Sequence, residues 1–512
     1  MRRAFGLLAF LTLLSRFSGF IRVAVFASFF GRGPESDVFL TALLVPELMY
    51  RFLSEGLVAS AAIPLFVRQR GAPDRERTTF WSIFWTVSAA AGVATAILAI
   101  WAEPLCAALV PGFSAERLGT LARLWRLIAP YVLLSAQTAV MTAFLNARQV
   151  FGPPGLGPLL VNLTIIAAIL GTRGGNLEAI ALSVTLGALL QMAWLGWLVR
   201  AHGVSLAQAF DRRHLSFPLM REFAEQVAPV ALWLFLTPIV PVYERYLLSS
   251  EAVGSVTILN YNEKLLNLPL GIISISLATV LFPNLSEIRP EERPRLLRRG
   301  IWALTALLLP IFLTIQAGSA TIVATVYQRG RFALAETDLT AAFFRAYAWW
   351  LLPTSICLLL NRALFASGSF RFPFVAGLTA IILQIGLDTW MVPRWGPPSV
   401  GWGAAWAANI QMFLLFAGLW WSGGIGDWSG ALVPAAAGLL VSLLAAGPQA
   451  AAFPALTAWI GWSDKWALLA LLTGWWGGLQ SATALLVWPF WAQDREGVAS
   501  EPPSSPAPPS QD

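Results

Sequence analysis

Long apolar segments follow one another along almost the whole chain, and only short polar stretches separate them. A helix that crosses a lipid bilayer needs about 20 mostly apolar residues. The sequence therefore predicts an all-α polytopic membrane protein with about fourteen transmembrane helices. The predicted spans lie at 4–31, 36–66, 78–110, 118–147, 154–172, 177–200, 222–249, 254–285, 300–327, 337–367, 373–393, 399–421, 430–460 and 465–492.

The composition excludes a water-soluble protein. Of the 512 residues, 57% are hydrophobic and 12% are charged, whereas soluble globular chains have about 45–50% apolar and about 25% charged residues. Too few charges are present to cover several soluble domains with polar surface. Only at 493–512, where proline and serine accumulate, does the sequence predict a disordered tail.

The residues that usually carry enzymatic or metal chemistry are scarce. Cys106 and Cys357 lie inside apolar segments, and His202 and His214 share one polar stretch. No Walker, HExxH or G-x-S-x-G motif is present. We therefore expect no catalytic residue, no metal and no cofactor. The basic residues behind the net charge of +7 are scattered along the chain, so we also expect no nucleic-acid partner.

The charges of the loops indicate an orientation. With fourteen spans both termini lie on one side, and 18 of the 26 loop lysines and arginines lie on that same side. Positive charge accumulates on the cytoplasmic side of membrane proteins. The sequence therefore predicts a multi-pass protein of the cell inner membrane with both termini cytoplasmic. Because Arg16 and Arg22 interrupt the first apolar segment, we expect a retained helix there rather than a cleaved signal peptide.

The sequence also repeats itself. Pro64 and Arg126 recur 219 residues later as Pro283 and Arg345. The spacing indicates two parallel six-helix repeats, an arrangement typical of transporters. The predicted domains are an N-terminal lobe at 1–203, a cytoplasmic linker at 204–222, a C-terminal lobe at 223–422, two extra helices at 423–492 and the tail at 493–512.

Four cations lie deep within predicted spans, where a charge costs roughly 2.5–3.5 kcal/mol and usually faces a cavity or a partner. They are Arg16, Arg22, Arg51 and Lys264. Ser18 and Gly19 lie between the first two, and a bend or break at this glycine would let both guanidinium groups approach one cavity. For the remaining basic residues within spans we expect structural or snorkelling roles. These are Arg123, Arg126, Arg345 and Arg362.

Acidic and amide side chains accompany these cations. Glu47, Arg51 and Glu55 are spaced four residues apart and form one stripe on a helix face, which either neutralises itself or lines the cavity. Asp37 begins the second span and is expected to pair with Arg32 or Arg16.

In the eighth span Asn260, Lys264 and Asn267 share one face, with Glu263 beside them. A cavity lined by cations in a low dielectric suits an anionic substrate such as a phosphate or a pyrophosphate. A pump for cationic drugs would instead need unpaired carboxylates.

Several segments resemble the MurJ (MviN) lipid II flippase family, part of the wider superfamily of multidrug, oligosaccharide-lipid and polysaccharide exporters. The most specific are Leu-Ser-Arg-Phe-Ser-Gly-Phe-Ile-Arg at 14–22 and Leu-Val-Pro-Glu-Leu-Met-Tyr-Arg-Phe-Leu-Ser-Glu-Gly at 44–56. Further similar segments lie at 29–39, 63–66, 110–113, 126–131, 145–154 and 261–271.

The resemblance implies two six-helix lobes around a cationic cavity and two final helices that line a groove for a lipid tail. It implies a flippase that moves undecaprenyl-pyrophosphate-linked peptidoglycan precursor outward by alternating access. Membrane lipids and the lipid-linked pyrophosphate oligosaccharide would be its partners, with cell-wall synthesis proteins as candidate partners. In this sequence the matching positions are Arg16, Arg22, Asp37, Glu55 and Lys264.

The sequence departs from the family pattern at three positions. Val23 replaces a common aspartate, Tyr50 replaces the first of two arginines, and Lys264 replaces an arginine. From the depth of the four cations in the predicted spans, we predict substrate binding by Arg16, Arg22, Arg51 and Lys264. Supporting or gating roles are predicted for Asp37, Glu47, Glu55, Glu263 and Asn260. Three alternatives stay open: a flippase for another undecaprenyl-linked oligosaccharide, a cation-coupled drug exporter and a membrane glycosyltransferase.

The predicted orientation leads to a labelling experiment. Loops 67–78, 201–221 and 286–299 should be cytoplasmic because most loop cations lie on their side. In a cysteine-free background, single cysteines within 112–117 should react with an impermeant maleimide added outside the cell, and cysteines within 70–76 should not. Reaction of the second set alone would reverse the topology.

Overall fold

The computed structural model of the chain describes residues 2–52, 58–150, 152–205, 208–209, 211, 215–236, 238–278 and 292–421. Within these residues the regular structure is helical, as the sequence predicts. The predicted spans at 430–460 and 465–492, with the lipid-tail groove expected of them, and the tail at 493–512 lie outside the described residues.

The N-terminal helices follow the predicted spans closely. They are α1 (Arg2–Phe30), α2 (Pro34–Phe52), α3 (Val58–Arg68), α4 (Pro73–Ile100), α5 (Ala102–Leu109), α6 (Ala115–Ile128), α7 (Pro130–Ala147), α8 (Gly157–Gly171) and α9 (Leu177–Ala201). A short 3₁₀ turn, Pro153–Leu156, precedes α8. Prolines stand at the first position of α2, α4 and α7, where the fixed φ of proline suits a helix and its missing N–H is not needed.

The later helices complete the described part of the chain. They are α10 (Phe217–Leu236), α11 (Ile239–Ser249), α12 (Ser255–Pro269), α13 (Arg293–Tyr327), α14 (Leu334–Ala366), α15 (Arg371–Trp395) and α16 (Ser399–Trp421). A π-helical turn, Leu270–Ser274, follows α12. The described residues of each of the first twelve predicted spans fall on these helices and helical turns.

By length and composition, 8 helical segments in the described residues are able to cross a membrane. They are Pro73–Ile100, Ala115–Ala147, Pro153–Gly171, Leu177–Ala201, Arg293–Tyr327, Leu334–Ala366, Arg371–Trp395 and Ser399–Trp421. The predicted class, an all-α polytopic membrane protein, is confirmed. The count of fourteen spans stays a prediction.

The helices form two compact units. The first contains the described residues of Met1–Leu265 together with Val326–Phe343 and Gln384–Val400. Part of its core is an aromatic cluster in which the ring of Phe144 on α7 packs edge to face against two others. The ring centroids are 5.5 Å from Phe66 on α3 and 5.2 Å from Phe80 on α4.

The second unit contains Leu266–Thr325, Phe344–Leu383 and the described residues 401–421. Trp349 on α14 contacts two helices here, with ring centroids 4.8 Å from Phe312 on α13 and 5.8 Å from Trp402 on α16. The buried hydroxyl groups of Ser274 and Ser355 form a hydrogen bond of 2.7 Å. The lobe boundaries drawn from the sequence repeat stay a prediction.

The first helix differs from the sequence-based expectation. α1 is helical from Arg2 to Phe30, through Ser18 and Gly19, so the predicted break at this glycine is wrong, and a bend there stays a prediction. The small residues serve helix packing instead. The side-chain amide of Asn162 on α8 donates to the hydroxyl of Ser18 at 2.9 Å and to the carbonyl of Ser15 at 3.3 Å. A Cβ atom on Gly19 would lie 3.5 Å from that amide nitrogen.

Close packing of α8 against α9 depends on Gly187. A Cβ atom there would lie 2.8 Å from the Cα atom of Val161 and would also contact the hydroxyl of Thr164. Gly187→Ala should therefore destabilise the protein by about 1–3 kcal/mol through overpacking, measured as a lower midpoint of thermal unfolding in detergent. Gly196→Ala on the same helix is the control, because a Cβ atom there meets nothing within 4 Å. Equal midpoints for both variants would contradict the packing role.

Candidate functional site

Three charged side chains from three helices meet within the first unit. Arg22 on α1 donates through Nη2 to Oε1 of Glu47 at 3.0 Å. Lys264 on α12 donates through Nζ to Oε2 of the same carboxylate at 2.8 Å. The carboxylate of Glu47 on α2 therefore bridges two cations that lie far apart in the sequence. We call Arg22, Glu47 and Lys264 the charged triad.

The charged triad lies well inside the length of its helices. Arg22 precedes the end of α1 by about 12 Å, and Lys264 follows the start of α12 by about 14 Å, at 1.5 Å of rise per residue. The hydrocarbon core of a bilayer is about 30 Å thick. The three side chains are only partly accessible, with 13% of Arg22, 28% of Glu47 and 19% of Lys264 exposed. Opposite charges with so little access to water stabilise one another because each alone would be poorly solvated.

The other predicted site residues divide into three groups. Arg16 is exposed and is not part of the charged triad. In a continuous helix it lies about 120° around the axis from Arg22, so the two guanidinium groups do not share a face. The side chain of Arg51 and the whole of Glu55 lie outside the described part of the structure, so their predicted roles stay predictions.

Two more of the predicted residues are on α12. Glu263 forms a two-pronged ion pair with Arg245 of α11, at 2.6 and 3.1 Å, and thereby ties these consecutive helices together. Asn260 is buried, and its Oδ1 atom has no hydrogen-bond partner among the described residues. The structure thus brings together Glu47 and two of the four predicted cations.

Asp37 forms a second polar centre, at the opposite end of α2 from Glu47. Its side chain is 3% exposed. One carboxylate oxygen, Oδ2, accepts from Nη2 of Arg117 at 2.9 Å and from the backbone N–H of Gly254 at 2.7 Å. The other, Oδ1, accepts from the N–H of Thr257 at 2.9 Å and from its hydroxyl at 2.7 Å.

The expected pairing of Asp37 with Arg32 or Arg16 is wrong. The first N–H groups of a helix lack partners within the helix and favour a negative charge. Asp37 supplies that negative charge to the start of α12. The guanidinium group of Arg117 pairs with the same carboxylate and neutralises its charge. Arg32 instead donates to the backbone carbonyl of Val253, at 2.9 Å through Nη2.

Further hydrogen bonds hold the end of α1 against neighbouring segments. The hydroxyl of Tyr261 donates to the carbonyl of Gly31 at 2.9 Å, and the hydroxyl of Tyr327 donates to the carbonyl of Tyr261 at 3.1 Å. The N–H of Arg331 donates to the carbonyl of Ser28 at 2.9 Å. Gly31 has φ +58°, and a Cβ atom there would lie 2.7 Å from the carbonyl oxygen of Arg331. We call the contacts of Asp37 and Gly31 the latch.

One buried acidic cluster was missed by sequence reasoning. Glu244 on α11 and Asp388 on α15 are both buried. Gln384 donates to Glu244 at 3.0 Å, whereas both carboxylate oxygens of Asp388 lack a hydrogen-bond partner among the described residues. A buried carboxylate of this kind is stable only with a proton or a cation on it. A count of acidic residues inside the predicted spans, beside the count of basic ones, would have found it.

Arg117 was also missed, because the sequence places it in a loop between predicted spans. Its guanidinium group lies over the ring of Phe113, 3.8 Å from the centroid, while it pairs with Asp37. No pattern in the sequence links these positions, which are 80 residues apart.

Membrane helices that pair their deep charges with one another have the character of a transporter, because intramembrane charges usually mark a substrate or ion pathway. The solved structure of a lipid II flippase MurJ in an inward closed conformation superposes with a TM-score of 0.78 at 19% identity, covering 96% of this chain and 99% of that one. An inward-facing multidrug-resistance transporter of the MATE family superposes with a TM-score of 0.66 at 13% identity, covering 81% and 97%.

The chain belongs to the lipid II flippase MurJ family, whose sequence profile matches residues 26–469. Its relatives include the probable lipid II flippases MurJ of Rhizobium tropici and Haemophilus influenzae. The first is 25% identical over 452 residues, which cover 84% of this chain and 83% of that protein. The second is 24% identical over 434 residues, which cover 80% and 84%. The family membership predicted from the sequence motifs is confirmed.

The latch leads to a prediction for Asp37. Asp37→Ala removes the carboxylate that receives four donated hydrogen bonds. The starts of α2 and α12, which this carboxylate joins, should therefore separate more often. Spin labels on Glu35 and Ala252 should show a single short distance in the unmodified protein. In Asp37→Ala a longer distance should become populated.

Asp338→Ala is the matched control, since it removes an exposed aspartate from the N-terminal part of α14. It should leave the distance distribution unchanged. An unchanged distribution in Asp37→Ala as well would show that the latch does not hold these ends together.

Proposed function

We propose that the chain is a transporter, not an enzyme, that moves lipid II from the cytoplasmic to the outer leaflet by alternating access. Lipid II is the peptidoglycan precursor carried on undecaprenyl pyrophosphate. The observation that carries the proposal is the convergence of Arg22 and Lys264 on one anionic group, and the sequence places all three residues inside predicted spans. Membership of the lipid II flippase family supports the same substrate.

The chemistry of the two cations suits a pyrophosphate. A guanidinium group offers a planar fork of N–H donors that matches two phosphate oxygens, and an ammonium group offers a compact charge with three donors. In a site of low dielectric each charge-assisted hydrogen bond is stronger than in water. Arg22 and Lys264 would each take one phosphoryl group of the substrate, and Arg51 would extend the cationic lining.

Orientation and membrane follow from the loop charges and the family. We infer that the protein lies in the cell inner membrane with both termini cytoplasmic, which places the latch on the outer side. Membrane lipids surround it, and the substrate enters from the cytoplasmic leaflet. The two lobes at 1–203 and 223–422, the linker at 204–222 and a tail groove at 423–492 belong to this proposal. The proposal also includes cell-wall synthesis proteins as partners.

A flippase for another undecaprenyl-linked oligosaccharide is the second candidate. It would share the same pyrophosphate and the same lipid tail, so the charged triad serves both substrates equally. The family favours lipid II over this alternative and over drug export.

The proposal predicts a charge requirement at two positions. In a strain depleted of its own lipid II flippase, Arg22→Ala should not support growth, although the protein accumulates. Lys264→Arg should support growth because the positive charge is kept, and Lys264→Gln should not. Arg22→Lys should be impaired because one ammonium cannot replace a guanidinium fork.

Arg126→Ala is the control for these variants. Arg126 is half exposed and pairs with Glu103 away from the charged triad, so its loss should chiefly lower the amount of protein. All variants are compared at matched membrane abundance. Normal growth with Arg22→Ala and with Lys264→Gln would remove the pyrophosphate site from the charged triad.

A further inference from the structure

Glu47 occupies the position that an anionic substrate would need. It accepts from both cations at once, one through each carboxylate oxygen, at 3.0 and 2.8 Å. The proposed function assigns these same cations to the pyrophosphate. Substrate and carboxylate therefore compete for Arg22 and Lys264.

We propose that Glu47 is an internal competing anion. It holds Arg22 and Lys264 in the substrate-free protein, is displaced when the pyrophosphate binds, and returns to the cations when the substrate leaves. The inference rests on the proposed function, because it requires that the two cations receive the substrate.

The pyrophosphate carries more negative charge than the carboxylate that it would displace. Glu47 carries one negative charge, whereas a pyrophosphate diester carries two, one on each phosphoryl group. Glu47 therefore offers a single negative charge to two cations that it contacts at once. A pyrophosphate that replaces the carboxylate supplies one charge to each cation, so the exchange favours the substrate.

The displaced carboxylate of Glu47 can be solvated by water. A freed charge must regain water or another donor, or its desolvation opposes the exchange. Glu47 is the most exposed member of the charged triad, at 28%. It can therefore be hydrated without leaving its place on α2, and it stays within reach of both cations.

Glu47 also affects the rate at which the substrate is released. Two cations at membrane depth would retain a pyrophosphate for a long time, and a transported substrate must leave as well as bind. An anion attached to the same protein competes as an intramolecular partner, whose effective concentration does not fall when the substrate is dilute. Its return to Arg22 and Lys264 weakens binding and speeds release on the far side.

The fraction of time for which Glu47 holds the cations determines how much the apparent Kd changes. If Glu47 holds the cations for about nine-tenths of the time, the fraction of binding-competent protein is about one tenth, and the apparent Kd is raised about tenfold. Removing the charge of Glu47 should remove this factor. Binding becomes tighter and release slower, so affinity and turnover change in opposite senses.

The test uses the full-length protein and lipid II as the probe. Binding is measured in detergent, and transport is measured in liposomes at saturating lipid II. Glu47→Gln should bind lipid II about tenfold more tightly than the unmodified protein, with a lower maximal transport rate. Glu47→Asp keeps the charge and should stay closer to the unmodified protein in both measurements.

Two controls accompany these variants. Glu178→Gln makes the same change of charge at an exposed position of α9 and should alter neither quantity. Thermal unfolding shows whether each variant is folded. If Glu47→Gln does not accumulate, Glu47→Asn makes the same test with a shorter amide.

Lys264→Gln separates the two proposals. Weaker binding in Lys264→Gln, together with unchanged or weaker binding in Glu47→Gln, would overturn the role of Glu47 and leave the proposed function standing. Unchanged binding in both variants would show that the charged triad does not receive the substrate, and the proposed site would fail. Tighter binding in Glu47→Gln with an undiminished transport rate would refute the release step.

Discussion

The cost of an isolated charge inside a bilayer governs the described structure. Roughly 2.5–3.5 kcal/mol is needed to place one charged side chain at mid-membrane, and more where neither water nor a partner reaches it. Arg22 and Lys264 meet this constraint by sharing Glu47. Asp37 meets it with Arg117 and with the start of α12, so its charge is balanced by a guanidinium group and by helix N–H groups.

The same constraint explains why sequence alone predicts the helices well. An apolar segment of about 20 residues in lipid must satisfy its backbone internally, and the α-helix is the open-ended structure that does so. The boundaries are set locally, as where proline at the first turn starts α2, α4 and α7. Such information lies within a few neighbouring residues, which is why the described residues of the first twelve predicted spans fall on observed helices.

The partners of the polar residues were predicted less well, because they depend on how distant segments pack. Asp37 finds Arg117 and Thr257, which are 80 and 220 residues away, and no local pattern encodes either contact. Gly19 shows the ambiguity of a small residue. A glycine in a membrane helix permits a bend, but it also permits close approach of a neighbour, and here the neighbour is Asn162.

Residue type was more informative than residue pairing at the charged triad. The depth of Arg22 and Lys264 in apolar segments marks them as functional candidates without any structure. Spacing along α2 linked Glu47 to Arg51 as one stripe, which stays a prediction, and it gave no sign that Glu47 also contacts cations on α1 and α12. A helix surface pattern shows which side chains share a face, and it does not show what that face meets.

The latch and the charged triad share the helices α1, α2 and α12, and under the proposed function this gives alternating access a physical basis. Thr257, which binds Asp37, precedes Lys264 by seven residues, so the two lie on one face of α12 about 10 Å apart. Helices are stiff over such distances. While the latch holds the ends of α1, α2 and α12 together, Arg22 and Lys264 stay within reach of one anion. Separation of those ends by a few ångströms would draw the cations apart, and a pyrophosphate bound between them would lose one of its two partners. Under the proposed function, opening of the latch would weaken the anion site when the substrate leaves.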